Sequence, residues 1–247
     1  MASSVIMVHG AFCGGWIFEH FRKPFEAAGL KVIALDLPGH ADSDPSNAVT
    51  GVSMTDYARA VAKACAAEPE PPILIGHSMG GLVAQLASRR CDLAGLVLLA
   101  PSPPWGVAAS TIEEAVSAVS LHMMGPFWIQ AIAPDGRLAR TYSLDRMAKP
   151  ERDAAVARMR PESGRALWET LNWWMDPLMT TSLGPGPLKV RSLVMAGGRD
   201  VIHPPSTVRQ TAERIGGAYL EWPGMSHWLP GEPGWEEVAA AVLTWIG

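Results

Sequence analysis

The chain has 247 residues, 48% of them hydrophobic and 18% charged, which fits one globular domain with a sizeable core and excludes a disordered segment. Its net charge of −4 lacks the basic footprint of a nucleic-acid or anionic-membrane binder. Its three cysteines, Cys13, Cys65 and Cys91, have no CxxC or Cys/His ligand spacing, which argues against a disulfide framework or a metal site and for a reducing compartment.

The opening MASSVIMVHG has no basic leader region, so residues 4–8 read as a strand and not as a secretory signal. Largely apolar runs at 31–35, 73–75, 96–99, 191–196 and 218–221 follow it, each short and bounded nearby by Gly or Pro. Runs of that kind suit parallel strands covered on both faces. Helical patterns alternate with them at 16–28, 54–66, 79–90, 205–215 and 234–245, the last with Val238, Val242 and Trp245 on one face. The alternation predicts an α/β protein with a mostly parallel sheet of about six strands and flanking helices. The apolar run at 93–110 is broken by Pro101, Pro103 and Pro104 and falls short of a membrane span. The expectation is a soluble, cytoplasmic protein with no nucleic-acid or membrane partner, a monomer or homodimer.

One stretch interrupts the alternation. Residues 104–186 contain no convincing strand, hold half of the 12 methionines, and are bounded by Pro101-Ser-Pro-Pro and Gly184-Pro-Gly-Pro. Ala166, Leu167, Leu171, Trp174 and Met175 give one helical segment an amphipathic face. The reading is a helical cap at 104–186 over a core made of 1–103 and 187–247. Such Met and Trp faces are more often plain core than ligand pocket, but the position between two strands favours a lid.

The chemistry concentrates at strand ends. Gly76-His77-Ser78-Met79-Gly80 lies between a strand and a helix, the context a G-x-S-x-G nucleophile turn requires. Ser78 at the tip of a strained turn leaves no room for side chains at 76 and 80, hence glycine at both. A serine hydroxyl needs a base that is itself oriented by an acid. His227 in Pro223-Gly-Met-Ser-His227 and Asp200 in Gly197-Gly-Arg-Asp200 each follow a predicted strand, on the sheet edge where sites form. Ala11 after His9-Gly10, with Phe12 as second choice, is the expected partner of the Met79 N–H in stabilising an oxyanion. Asp36 reads as a loop residue, His77 as packing beneath the turn, and Cys13 as a buried small residue. His203 is a candidate pocket residue.

These motifs together resemble the α/β-hydrolase superfamily: His9-Gly10, Asp36-Leu-Pro-Gly-His40, Gly76–Gly81, Gly197-Gly-Arg-Asp200 and Gly224-Met-Ser-His227 with Glu232-Pro233. The resemblance spans nearly the whole chain. It implies Ser78 as nucleophile, His227 as base, Asp200 as acid, Ala11 and Met79 as the oxyanion hole, and a helical cap. The leading hairpin usual in the family is not evident, and Pro101-Ser102 stands where some relatives carry the acid. A serine at 78 disfavours the dehalogenase and epoxide-hydrolase branches. His9-Gly-Ala-Phe-Cys-Gly-Gly-Trp16 is similar to the opening of plant methylesterases and hydroxynitrile lyases.

The resulting expectation is a carboxylesterase-like serine hydrolase acting on neutral, hydrophobic small-molecule esters without metal or organic cofactor. Met123, Met124, Phe127, Trp128, Trp173, Trp174 and His203 are the candidate substrate-binding residues. Lactonase, thioesterase, C–C hydrolase, perhydrolase, acyltransferase or hydroxynitrile lyase chemistry on the same triad stays open, as does a ligand receptor with little turnover.

Overall fold

The computed structural model describes residues 3–110 and 126–247. Strands β1 (Ser4–Val8), β2 (Lys31–Leu35), β3 (Ile73–His77), β4 (Gly95–Leu99), β7 (Ser192–Gly197) and β8 (Ala218–Trp222) form one sheet in the order β2-β1-β3-β4-β7-β8. Every pairing in it is parallel. The sequence expectation of six parallel strands is met.

Alternation along each strand splits the core into two layers. Ile6, Val8, Leu74, Leu96, Leu98, Val194 and Ala196 face one side, with α2 (Met54–Ala66), α3 (Met79–Ala87) and α6 (Pro205–Ile215) packed over them. Val5, Met7, Ile73, Ile75, Val97, Leu99, Leu193 and Met195 face the other, under α1 (Arg22–Ala27) and α7 (Trp235–Ile246). Because both faces of the inner strands β1, β3, β4 and β7 are covered, these strands are mainly apolar; burying each such side chain contributes about 1.5–3 kcal/mol. α2 starts at a capping box: Ser53 Oγ accepts from Asp56 N–H at 3.1 Å and Asp56 Oδ2 accepts from Ser53 N–H at 3.0 Å. α6 ends on Gly216 in the left-handed region, at φ 71°.

Three boundaries differ from the sequence reading. The helix expected over 16–28 is a 3-10 turn, Gly15–Phe18, followed by α1, broken where Pro24 can only sit in a first turn. Between β4 and β7 the chain does contain strands, the two-residue pair β5 (Ala131–Ile132) and β6 (Glu162–Ser163), antiparallel and too short to show a period. The same region carries α4 (Lys149–Ala157) and α5 (Gly164–Leu171). The amphipathic face expected to reach Met175 stops with α5; Trp174 and Met175 lie on a 3-10 turn and are 62% and 46% exposed. Among the described residues no helix is long and apolar enough to cross a membrane.

Candidate active site

Three loops at the C-terminal ends of β3, β7 and β8 bring Ser78, Asp200 and His227 together. Ser78 caps α3 with φ 54° and ψ −124°, a conformation that L-residues rarely adopt, and its N–H donates to Leu99 O at 3.0 Å. A Cβ on Gly76 would lie 2.4 Å from Gly80 O, and one on Gly80 would lie 2.2 Å from His9 O. Strand β3, the helix and the loop after β1 therefore touch backbone to backbone around the serine. The loop after β8 closes equally tightly: a Cβ on Gly197 would lie 1.8 Å from Ser226 O.

His227 Nε2 lies 3.0 Å from Ser78 Oγ, and His227 Nδ1 lies 2.8 Å from Asp200 Oδ2. Asp200 is buried, and its other oxygen accepts N–H groups of Ile202 at 2.8 Å and His203 at 3.0 Å. Burial alone would raise its carboxyl, but the His227 ring and its hydrogen bond more than offset that and hold it below the ordinary aspartate value. An ionised Asp200 requires the proton on His227 Nδ1, so Nε2 accepts from the serine hydroxyl.

Two further histidines flank that ring. His77 donates from Nε2 to His227 O at 2.9 Å, and His203 Nε2 pairs with Ser102 Oγ at 2.9 Å. Their rings lie 5.0 and 5.3 Å from His227. Burial pulls both imidazoles down to about 3, so they are neutral packing partners near pH 7. Glu232 is buried beside them. Its Oε1 accepts Ser226 N–H at 2.7 Å, and burial pushes its carboxyl up to about 7.

The loop after β1 supplies backbone donors. Met79 is the first residue of α3, so its N–H is one of those a helix leaves without an intrahelical acceptor. His9 is buried, neutral with its imidazole pulled down to about 3, and donates from Nδ1 to Gly10 O at 2.8 Å while its Nε2 accepts Leu37 N–H at 3.0 Å. Holding Gly10 O fixes the peptide plane whose other end is Ala11 N–H. Phe12 sits at φ 65°, and its N–H donates to Glu162 Oε2 at 3.3 Å. That bond occupies Phe12 N–H, the second-choice oxyanion donor of the sequence reading.

The expected pocket residues separate. Phe127 is buried with Ile132 and Leu167, in contact with Ala11 and Phe12. Trp173 packs edge-on against Trp105 at 5.5 Å. Trp128 and Trp174 are 40% and 62% exposed. Met123 and Met124 lie outside the described residues. Asp36 Oδ1 accepts Gly15 N–H at 2.8 Å, a loop role, and Cys13 is buried with its thiol pushed up by desolvation. Glu162, buried where the insertion meets the core, is the residue that sequence reasoning missed; a lone glutamate in a polar segment carries no signal of its partners. Among the described residues no group of His, Cys, Asp or Glu is arranged to hold a metal ion.

The model of the alpha/beta hydrolase family matches residues 5–241. A pyrethroid hydrolase from Sphingobium wenxiniae is 36% identical over a match covering 39% of this chain and 35% of that protein. A monoacylglycerol lipase from Mycolicibacterium smegmatis is 26% identical over 98% of this chain and 87% of that protein. In the first curated relatives the match takes in only 35% to 55% of their own length. The crystal structure of a methylesterase, MES16 from Arabidopsis, superposes with a TM-score of 0.74 at 19% identity, covering 98% of both chains.

Proposed function

Because the chain belongs to the alpha/beta hydrolase family, we propose that it is a serine hydrolase cleaving carboxylic esters of neutral, fairly hydrophobic small molecules. The observation that carries this reading is the relay from Ser78 Oγ to His227 Nε2 at 3.0 Å and from His227 Nδ1 to Asp200 Oδ2 at 2.8 Å. The relatives described as a hydrolase and a lipase support it.

Ser78 Oγ attacks the ester carbonyl while His227 Nε2 takes its proton. Asp200 keeps the imidazole in the tautomer that can accept that proton, then stabilises the imidazolium. The developing oxyanion is held by Ala11 and Met79 N–H, where losing one donor costs about 3–4 kcal/mol of barrier. His227 returns the proton to the leaving alcohol, and the acyl group stays on Ser78. Water then attacks the acyl carbonyl with His227 as base, releasing acid and free serine. Side chains supply nucleophile, base and acid and backbone N–H groups the oxyanion stabilisation, so the chemistry needs neither metal nor organic cofactor.

Residues 104–186 act in this reading as a cap over the site. Their contribution to substrate choice is apolar: Phe127 and Leu167 reach the oxyanion loop at Ala11 and Phe12. The test is hydrolysis of p-nitrophenyl esters from acetate to palmitate by wild type and Ser78→Ala. Turnover that peaks at an intermediate or long chain and vanishes in the variant is expected. Equal turnover by Ser78→Ala, or preference for charged over neutral esters, contradicts the reading.

A further inference from the structure

The mechanism above leaves one fully buried charged group unused. Glu162, on β6 in the segment between β4 and β7, is 0% exposed. Its two oxygens divide their partners. Oε1 accepts from Tyr57 OH and from Ser163 N–H, both at 2.7 Å. Oε2 faces His40 Nε2 at 3.1 Å and accepts Phe12 N–H at 3.3 Å. A neutral carboxylic acid would set its own proton against this ring of donors, so the site is built for the anion. Burial works against that charge, but the His40 ring and the hydrogen bonds prevail and hold the carboxyl below the usual glutamate value.

The same short segment takes Phe12 at its other end, where Arg160 N–H donates to Phe12 O at 2.9 Å. Phe12 is therefore gripped at N–H and C=O by residues 160 and 162, and it sits at φ 65°. A non-glycine residue in that region persists only when its surroundings over-determine it. Ala11, just before it, is caught between two fixed peptide planes. His9 holds one through Gly10 O, and Glu162 holds the other through Phe12 N–H. Were Phe12 N–H released, the chain beyond the Ala11 Cα would lose its anchor, and the Gly10–Ala11 plane that carries the Ala11 N–H would be held from the His9 side alone.

We propose that Glu162 is a positioning residue for the oxyanion hole, a buried carboxylate sent in from the insertion to lock the Ala11–Phe12 backbone so that Ala11 N–H points at the reacting carbonyl. The assignment rests on the serine-hydrolase reading given above. It also makes the hole a joint construction of the core and the 104–186 segment, so that displacing that segment disarms the enzyme and does more than open its pocket.

The experiment compares wild type, Glu162→Gln and Tyr57→Phe. Steady-state hydrolysis of a p-nitrophenyl ester and the rate of reaction with a serine-directed phosphonate are measured below the unfolding temperature of all three. In Glu162→Gln one amide oxygen cannot serve both donor pairs. Because an oxyanion donor acts on the transition state and not on substrate binding, kcat is expected to fall about 10- to 100-fold with KM within about threefold. The phosphonate rate is expected to fall in parallel, since its phosphoryl oxygen occupies the same hole. Tyr57→Phe removes a partner of the same carboxylate on the side away from the loop. It is the control for stability, expected to lose several-fold less kcat than Glu162→Gln.

Losses in Glu162→Gln no larger than in Tyr57→Phe, or a rise in KM at constant kcat, overturn the proposal and leave the hydrolase reading standing. Wild type reacting with neither ester nor phosphonate overturns both. Should Glu162→Gln not fold, Glu162→Asp, one carbon too short to span to Phe12 with its charge kept, is read by the same criteria.

Discussion

Replacing Asp200 with asparagine keeps the shape of the side chain and tests the relay at its least exposed member. One oxygen of Asp200 is pinned by two N–H donors, Ile202 at 2.8 Å and His203 at 3.0 Å. An asparagine must leave its carbonyl oxygen there, because its NH2 in that place would oppose two buried donors at about 1–3 kcal/mol each. The NH2 then occupies the position of Oδ2, 2.8 Å from His227 Nδ1, and donates to it. His227 is forced into the opposite tautomer, with its proton on Nε2 facing Ser78 Oγ at 3.0 Å, and it can no longer take the serine proton. The expected loss in kcat is on the order of 10³–10⁴, or about 4–5.5 kcal/mol of barrier, the scale for tautomer loss in a Ser-His-Asp relay. The assay is steady-state hydrolysis of p-nitrophenyl butyrate by Asp200→Asn, with thermal unfolding followed in parallel to show that the variant is folded. A folded variant within tenfold of wild-type kcat would refute the tautomer argument.

Stability should fall in mild acid. Burial holds His9, His77 and His203 near about 3, below the ordinary 6.5, so the unfolded chain binds more protons than the folded one between these values. The stabilisation is thus complete above about pH 6.5 and is lost as pH drops, by up to about 4 kcal/mol per pH unit for three such groups. Glu232, pushed up to about 7, binds its proton in the folded state first and offsets one of the three histidines, and His40, raised through its bond to Glu162, opposes them only above about 6.5, so the net loss below 6.5 is about 2.7 kcal/mol per pH unit. Urea midpoints at pH 7.5 and 5.5 measure this, and an equal or higher midpoint at pH 5.5 would contradict it. Gly197→Ala, whose Cβ would lie 1.8 Å from Ser226 O, must push the His227 loop off β7. A destabilisation of about 3 kcal/mol, roughly 6–12 °C in Tm, is expected together with lost activity. Gly224→Ala, in the same loop with nothing within 4 Å of the new Cβ, is the matched control and should change Tm by no more than a few degrees. Equal behaviour of the two variants would show that backbone proximity at Gly197 does not set the loop.

Much of this architecture could be read from the chain because its signals are local. The four inner strands β1, β3, β4 and β7 are short, mainly apolar runs buried at every position, where both faces demand that composition, while the half-exposed edge strands β2 and β8 admit Lys31 and Glu221. Gly76 and Gly80 advertise the turn at Ser78, since each is needed for a backbone contact within about five residues or against the neighbouring strand. Asp200 and His227 declare themselves through their place after β7 and β8. The rest depends on contacts that sequence spacing does not encode. Glu162 meets Phe12, His40 and Tyr57 across separations of more than 100 residues. Trp174 looks like the continuation of the α5 face, but the helix ends at Leu171 and the side chain is left 62% exposed. The sequence ranks Ala11 ahead of Phe12 as a donor, but nothing in it shows that Phe12 N–H is bonded to Glu162. The two-residue strands β5 and β6 are too short for any periodicity to register.

The most direct test of the central claim is intact-protein mass spectrometry after exposure to a fluorophosphonate, with peptide mapping of the modified site. The account requires one adduct per chain, located on Ser78, absent from Ser78→Ala, and formed much more slowly in Asp200→Asn. An adduct that persists in Ser78→Ala, or no adduct in a wild-type protein that still turns over esters, would show that the relay from Ser78 through His227 to Asp200 is not the catalytic machinery.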